Sequence, residues 1–126
     1  MKKTITFIGG GTITRHVLSG LHKARPQSYS HMWVIDPDSK ARSRHTKRTT
    51  QTILEKPDRC IVDSDILVLA TKPQSFGRVI DSLTQFGLDI QASEKDVCVV
   101  SLMAGVSLAT IKRSIPWANS FVRAMP

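Results

Sequence analysis

The sequence predicts an α/β fold, a single domain built as a doubly wound, mostly parallel sheet, and three observations carry that prediction. An apolar run, Ile5-Thr6-Phe7-Ile8, feeds directly into Gly9-Gly10-Gly11 and then Thr12-Ile13-Thr14, which reads as a strand, a tight turn and a helix start. Two later runs, Ile66-Leu67-Val68-Leu69-Ala70 and Val97-Cys98-Val99-Val100-Ser101-Leu102, are apolar almost throughout, as strands covered on both faces of a parallel sheet are. Segments of helical periodicity separate these runs, and right-handed crossovers then bring every strand-to-helix turn to one edge of the sheet.

In order, the first strand covers about Thr4 to Ile8, and the first helix about Thr12 to Ala24, with Ile13, Val17, Leu18 and Leu21 as its apolar stripe and Pro26 beyond its end. His31-Met32-Trp33-Val34-Ile35 is the second strand. It closes on Asp36-Pro37-Asp38, where Pro37 can open a helix and Asp36 can cap it. Gln51 to Leu54 suits a short third strand, and Pro57 to Val62 one or two helical turns. After the Ile66–Ala70 strand, Pro73 opens a helix whose buried side is Phe76, Val79, Ile80 and Leu83. The Val97–Leu102 strand leads past Gly105 to a helix from about Ser107, its cap, to Ser114, stopped by Pro116, and Ser120 to Ala124 forms the last strand.

At 126 residues and 40% hydrophobic content, the chain has material for one core and not for two domains. No apolar stretch approaches the roughly 20 residues that a bilayer-spanning helix needs, and the start, Met1-Lys2-Lys3-Thr4, leads into a segment too short for a signal sequence. A cytoplasmic protein without a membrane partner is expected. Cys60 and Cys98 lack zinc-ligand spacing, so no metal site is expected and both read as small core residues rather than a disulfide. The net charge of +8 predicts attraction to anionic ligands. Much of it is local, since Lys40, Arg42, Arg44, Lys47 and Arg48 crowd together around His45. Nucleic acid is disfavoured as a partner because aromatic interleaving and a recognised binding motif are both absent.

The glycine turn is the first candidate site. In a Rossmann-type unit the backbone approaches a dinucleotide diphosphate at such a turn, and the N–H groups and dipole of the following helix favour its charge. Ile8, Gly9, Gly10, Gly11, Thr12 and Ile13 are the candidate contacts, with Gly9 making the sharp turn and Gly11 leaving room for the diphosphate. The pattern G-x-G-x-x-G/A meets Thr14 at its third small position. A displaced helix or a looser fit is expected there, and a glycine turn that binds nothing remains the alternative.

At the end of the second strand an acidic residue would hydrogen-bond a ribose 2′-hydroxyl, whereas basic residues would accept a 2′-phosphate. Asp36 argues for NAD and the nearby Ser39, Lys40, Arg42 and Arg44 for NADP, with Asp36 as a helix cap alone the other reading.

Three further segments sharpen the assignment: Ala70-Thr71-Lys72-Pro73-Gln74, Val100-Ser101-Leu102-Met103-Ala104-Gly105-Val106-Ser107 and Phe121-Val122-Arg123-Ala124-Met125-Pro126. With the glycine turn, and in this order, they resemble the amino-terminal NAD(P)-binding half of pyrroline-5-carboxylate reductase over essentially the whole chain. The resemblance implies NADP as cofactor, with NAD also accepted, and reduction of 1-pyrroline-5-carboxylate to proline in proline biosynthesis. It adds Ala70, Thr71, Lys72 and Pro73 beside the diphosphate or nicotinamide, and Met103 and Ala104 beside the nicotinamide ring. Met103 stands where the family usually has alanine, and Pro57 where some relatives have a cofactor-binding asparagine.

In that family a helical second domain forms the dimer and supplies the groups that hold the substrate. Residues 1–126 are therefore read as the cofactor domain without that partner, and no catalytic residue is assigned. An imine substrate is expected only where a second domain is supplied, so whether the chain is itself an enzyme stays open. A truncated, non-catalytic NADP(H)-binding module or partner-docking protein is the alternative. Val122, Met125 and nearby apolar surface are expected to be partly uncovered and to favour self-association.

Overall fold

The structure, a computed structural model, describes residues 2–124. Its centre is strand β1 (Lys3–Ile8), flanked by β2 (Tyr29–Ile35) and β4 (Ile66–Leu69), with β3 (Gln51–Leu54), β5 (Cys98–Ser101) and β6 (Ser120–Arg123) outside them. The order is β3-β2-β1-β4-β5-β6 and every pairing is parallel. This is the expected doubly wound sheet.

Residues alternate between the two faces of a strand, so each apolar run feeds two cores. Phe7, Met32, Val34 and Val68 meet Leu18 of helix α1 (Thr12–Ala24) on one side. Ile8, Ile35, Leu67, Leu69 and Val99 meet α3 (Cys60–Asp63), α4 (Phe76–Thr84), α5 (Gly87–Ala92) and α6 (Leu108–Ser114) on the other. Helix α2 (Ser39–Ser43) is a single short turn after β2.

Several expectations change. Ile13 is 43% exposed, and the inward face of α1 is carried by Thr14 and Leu18, with Val17 and Leu21 half-buried or packed beside them. A rotation of about 100° per residue turns Ile13 out once Thr14 points in. Asp38, not Asp36, caps α2, its carboxylate accepting from the Lys40 N–H at 3.0 Å. Pro73 begins a 3-10 turn, Pro73–Ser75, before α4. Helix α5 was not expected. It is six residues long with Ile90 buried and Leu88 81% exposed, and a Cβ on Gly87 would lie 2.8 Å from the Trp117 ring, so only glycine lets it pack there.

Cys60 is buried, and burial first of all pushes its thiol up to about 12, so it is an inert core group. Cys98 is half-buried and both cysteines are free. Val122 on the outermost strand is 48% exposed, while Met125 lies outside the described residues. Among the described residues no helix is long and apolar enough to cross a membrane. No group of three or more His, Cys, Asp or Glu side chains among them is placed to hold a metal.

At the amino edge of the sheet, Asp65 accepts from the Thr4 N–H at 2.9 Å and faces Lys95 Nζ at 3.5 Å. Burial works against its carboxylate, but the Thr4 hydrogen bonds and the Lys95 charge outweigh it and hold the pKa below the ordinary 3.8. A depressed native pKa contributes stability that is present above pH 3.8 and lost as pH falls through the native value. Asp65→Asn is therefore expected to flatten the acid limb of the stability curve from pH 3.8 downward. Urea melts across that range check it, and an unchanged acid slope would contradict it.

Candidate functional site

Where a doubly wound sheet reverses its strand order, the loops on either side part and leave a crevice beyond the carboxyl ends of the strands. The reversal here falls between β1 and β4. A crevice of about 500 Å³ opens there, walled by the β1 turn, by Ile35 to Asp38 after β2, and by Ala70-Thr71-Lys72 after β4.

The three glycines do different things. Gly9 has φ +109°, a region side chains rarely tolerate, and a Cβ on it would lie 2.6 Å from the Ala70 carbonyl oxygen. Gly10 is buried and held on both sides, its N–H donating to Asp36 Oδ2 at 2.8 Å and its carbonyl accepting from His45 Nε2 at 2.8 Å. Gly11 has nothing within 4 Å of where a Cβ would be. It is also the N-cap of α1 and brings no side chain to the first-turn amides, so those donors carry no side-chain cap. No acidic side chain lies in that first turn to oppose an anion.

The looser fit expected from Thr14 is not what the structure shows. Thr14 is 1% exposed, and its hydroxyl donates to the Gly9 carbonyl at 2.6 Å, fastening the helix to the turn. A small residue would pack closely here, and threonine substitutes a hydrogen bond for that contact.

Asp36 is half-buried, with Oδ1 accepting from the Asp38 N–H at 2.9 Å and Oδ2 from Gly10. Its carboxylate thus braces the turn while still bordering the crevice. The Arg42 guanidinium turns back to donate to the Asp36 and Pro37 carbonyls at 2.9 Å each. Arg42, Ser39 and Lys40 do not line the crevice. Its cations are Arg44, Lys56, Lys72 and Arg78, and its carboxylates Asp36, Asp38 and Glu55.

Of the other residues read from the sequence, Ile8, Gly9, Gly11, Ala70, Thr71 and Lys72 line the crevice, as does Pro57. Gly10 sits behind it. Thr12 and Ile13 are exposed at the helix start, and Pro73 and Ala104 are exposed on their loops. Met103 neither narrows the crevice nor leans into solvent. It is 1% exposed in the core, with its sulfur 3.9 Å from the Thr71 hydroxyl, and so supports the crevice loop from beneath. Sequence reasoning missed His45 as a tie to Gly10, and Lys56 and Arg78 as crevice cations. No spacing rule links a residue after α2 to a turn 35 positions earlier.

A parallel sheet reversing beside a glycine turn, with an uncapped helix start at the crevice, defines a nucleotide-binding domain of the Rossmann type. The family model described as NADP oxidoreductase, coenzyme F420-dependent, matches residues 4–105, and the chain belongs to that family. It is similar to pyrroline-5-carboxylate reductase of Pasteurella multocida, 32% identical over 98% of this chain and 44% of that protein. The Escherichia coli enzyme of the same name is 29% identical over 100% of this chain and 45% of its own. Among solved structures, a pyrroline-5-carboxylate reductase from Coxiella burnetii superposes with a TM-score of 0.79 at 26% identity, covering 100% of this chain and 44% of that one. Pyrroline carboxylate reductase of Plasmodium falciparum, solved with NADP bound, shares the fold at a TM-score of 0.71 and 20% identity over 98% of this chain and 42% of that one. The chain thus spans less than half the length of these relatives and resembles their dinucleotide-binding part.

Proposed function

We propose that the chain is the dinucleotide-binding half of an NADPH-dependent reductase that reduces the C=N bond of 1-pyrroline-5-carboxylate to give proline, in cytoplasmic proline biosynthesis. The observation that carries this reading is the open space at Gly11, beside the bare amides of α1 and within the crevice at the strand reversal. These amides suit a diphosphate, Lys72 adds positive charge on the facing loop, and Ala70 and Thr71 on that loop would border the diphosphate or the nicotinamide. Bound NADPH would supply the hydride. The protein's part is to hold and orient the dinucleotide and to keep the turn rigid through Asp36, His45 and Thr14.

NADP is the preferred cofactor on this reading, with NAD also accepted. Asp36 already serves two backbone amides, while Arg44 borders the crevice close by in sequence. Arg44→Gln is expected to weaken NADPH about tenfold or more and NADH less than about twofold, the loss of one charge-assisted phosphate contact. Fluorescence titration reads both, and equal losses would overturn the 2′-phosphate role.

The substrate assignment is tested by a chimaera that joins residues 1–126 to the remaining part of the Pasteurella multocida relative. NADPH-dependent formation of proline from 1-pyrroline-5-carboxylate is expected. A chimaera that folds and binds NADPH but leaves the imine unreduced would overturn it.

A further inference from the structure

A second hollow, of about 220 Å³, lies outside the crevice, between the outer side of α1 and the segment that joins α2 to β3. Its charged and ionisable lining is entirely basic: Arg15 and His22 from α1, and Arg44, His45 and Arg48 from the connecting segment. No carboxylate borders it among the described residues. Among the described residues the two ion pairs are Arg59 with Asp89 and Lys95 with Asp65, so none of the three arginines here is neutralised by a partner.

The floor is an ordered network. His22 Nδ1 is hydrogen-bonded to the Tyr29 hydroxyl and His22 Nε2 meets Gln51 Oε1 at 3.1 Å. Gln51 Nε2 in turn donates to the Thr46 carbonyl at 2.9 Å, which pins the connecting segment to β3. His45 is nine-tenths buried at the back wall, with Nε2 committed to the Gly10 carbonyl. Among the described residues its Nδ1 has no hydrogen-bond partner, and it is not sealed from solvent, since no buried side-chain nitrogen there is left unbonded. Three arginines without an ion-pair partner thus line one concave hollow with a hydrogen-bonded floor, beside a ring nitrogen that makes no hydrogen bond among the described residues.

We propose that this hollow binds a phosphate-class dianion, inorganic phosphate or a small phosphate monoester, at a site separate from the dinucleotide crevice. Planar guanidiniums match phosphate oxygens bidentately, and three of them around one small hollow suit a compact dianion better than a run of backbone phosphates. Arg44 borders both hollows, and His45 contacts the glycine turn from this side. The site therefore adjoins the turn without occupying it.

The test is titration of the isotopically labelled chain with inorganic phosphate, followed by residue-resolved amide shifts, first alone and then with saturating NADH or NADPH. Saturable shifts at Ser19, Thr46 and Arg48, following one isotherm, are expected in all three conditions, with the same affinity alone and with NADH, and with a weakened but retained affinity with NADPH because Arg44 borders both hollows. Arg15→Gln with Arg48→Gln, both on exposed positions outside the crevice, should weaken that isotherm about tenfold or more and leave NADH affinity unchanged. Shifts confined to Gly9–Ile13, or an isotherm indifferent to the double substitution, would overturn the proposal. Loss of phosphate binding with NADPH but not with NADH would also overturn it, because the hollow would then be the seat of the cofactor's own 2′-phosphate. The phosphate-only arm needs no dinucleotide, so its outcome is separable from that of the reductase reading.

Discussion

Gly9→Ala is expected to destabilise the fold by about 3 kcal/mol or more, combining backbone strain with a steric clash. Gly9 holds φ +109°, and the added methyl would lie 2.6 Å from the Ala70 carbonyl oxygen and 2.8 Å from its carbon. That neighbour cannot easily yield. The Ala70 N–H donates to the Ile8 carbonyl at 2.8 Å, and the Gly9 N–H to Ile35 at 2.8 Å, so both sides of the contact are tied into the sheet. Urea denaturation followed by circular dichroism measures the loss, and a change below about 1 kcal/mol would mean the turn relaxes cheaply.

Gly11→Asp should do the opposite, preserving the fold and abolishing dinucleotide binding. A side chain at this position meets open space, and Gly11 is the N-cap of α1, where aspartate is among the preferred residues. Its carboxylate would satisfy first-turn amides and place negative charge where the diphosphate is proposed to sit. Affinity for NADPH should fall at least about a hundredfold, or about 2.7 kcal/mol, with the melting midpoint unchanged or raised. Retained affinity in a stable variant would show that the dinucleotide does not use these amides. Together the two substitutions separate a glycine needed for folding from one needed for ligand space.

This division was only partly legible in the sequence. The triple glycine after Phe7-Ile8 marks a strand-to-helix turn, and the bounds of α1 and β3 follow from apolar spacing and the neighbouring proline and polar residues. The continuous apolar runs reveal β4 and β5 because both faces of those strands are covered. Local pattern says less about orientation. Asp36 and Asp38 are equally good caps on paper, and only the extended backbone at Asp38 decides which one starts α2. Lys40, Arg42 and Arg44 are interchangeable as basic residues in sequence, yet Arg42 is drawn back by two backbone carbonyls and Arg44 is left facing the crevice. The hydrogen bonds of His45 and Thr14 to the glycine turn join groups by tertiary geometry, or through a hydroxyl where only size was expected to matter. Helix α5 escaped notice because six residues with one buried isoleucine carry too little periodicity.

The central claim, that a nicotinamide dinucleotide lies with its diphosphate on the amides at Gly11, is tested most directly by residue-resolved amide shifts on adding NADPH to the labelled protein. The largest changes are expected at Gly9 to Ile13, with a second group at Ala70 to Lys72 across the crevice and a third near Arg44. Saturable binding that leaves the glycine turn unshifted, or no binding of either NADPH or NADH, would contradict it.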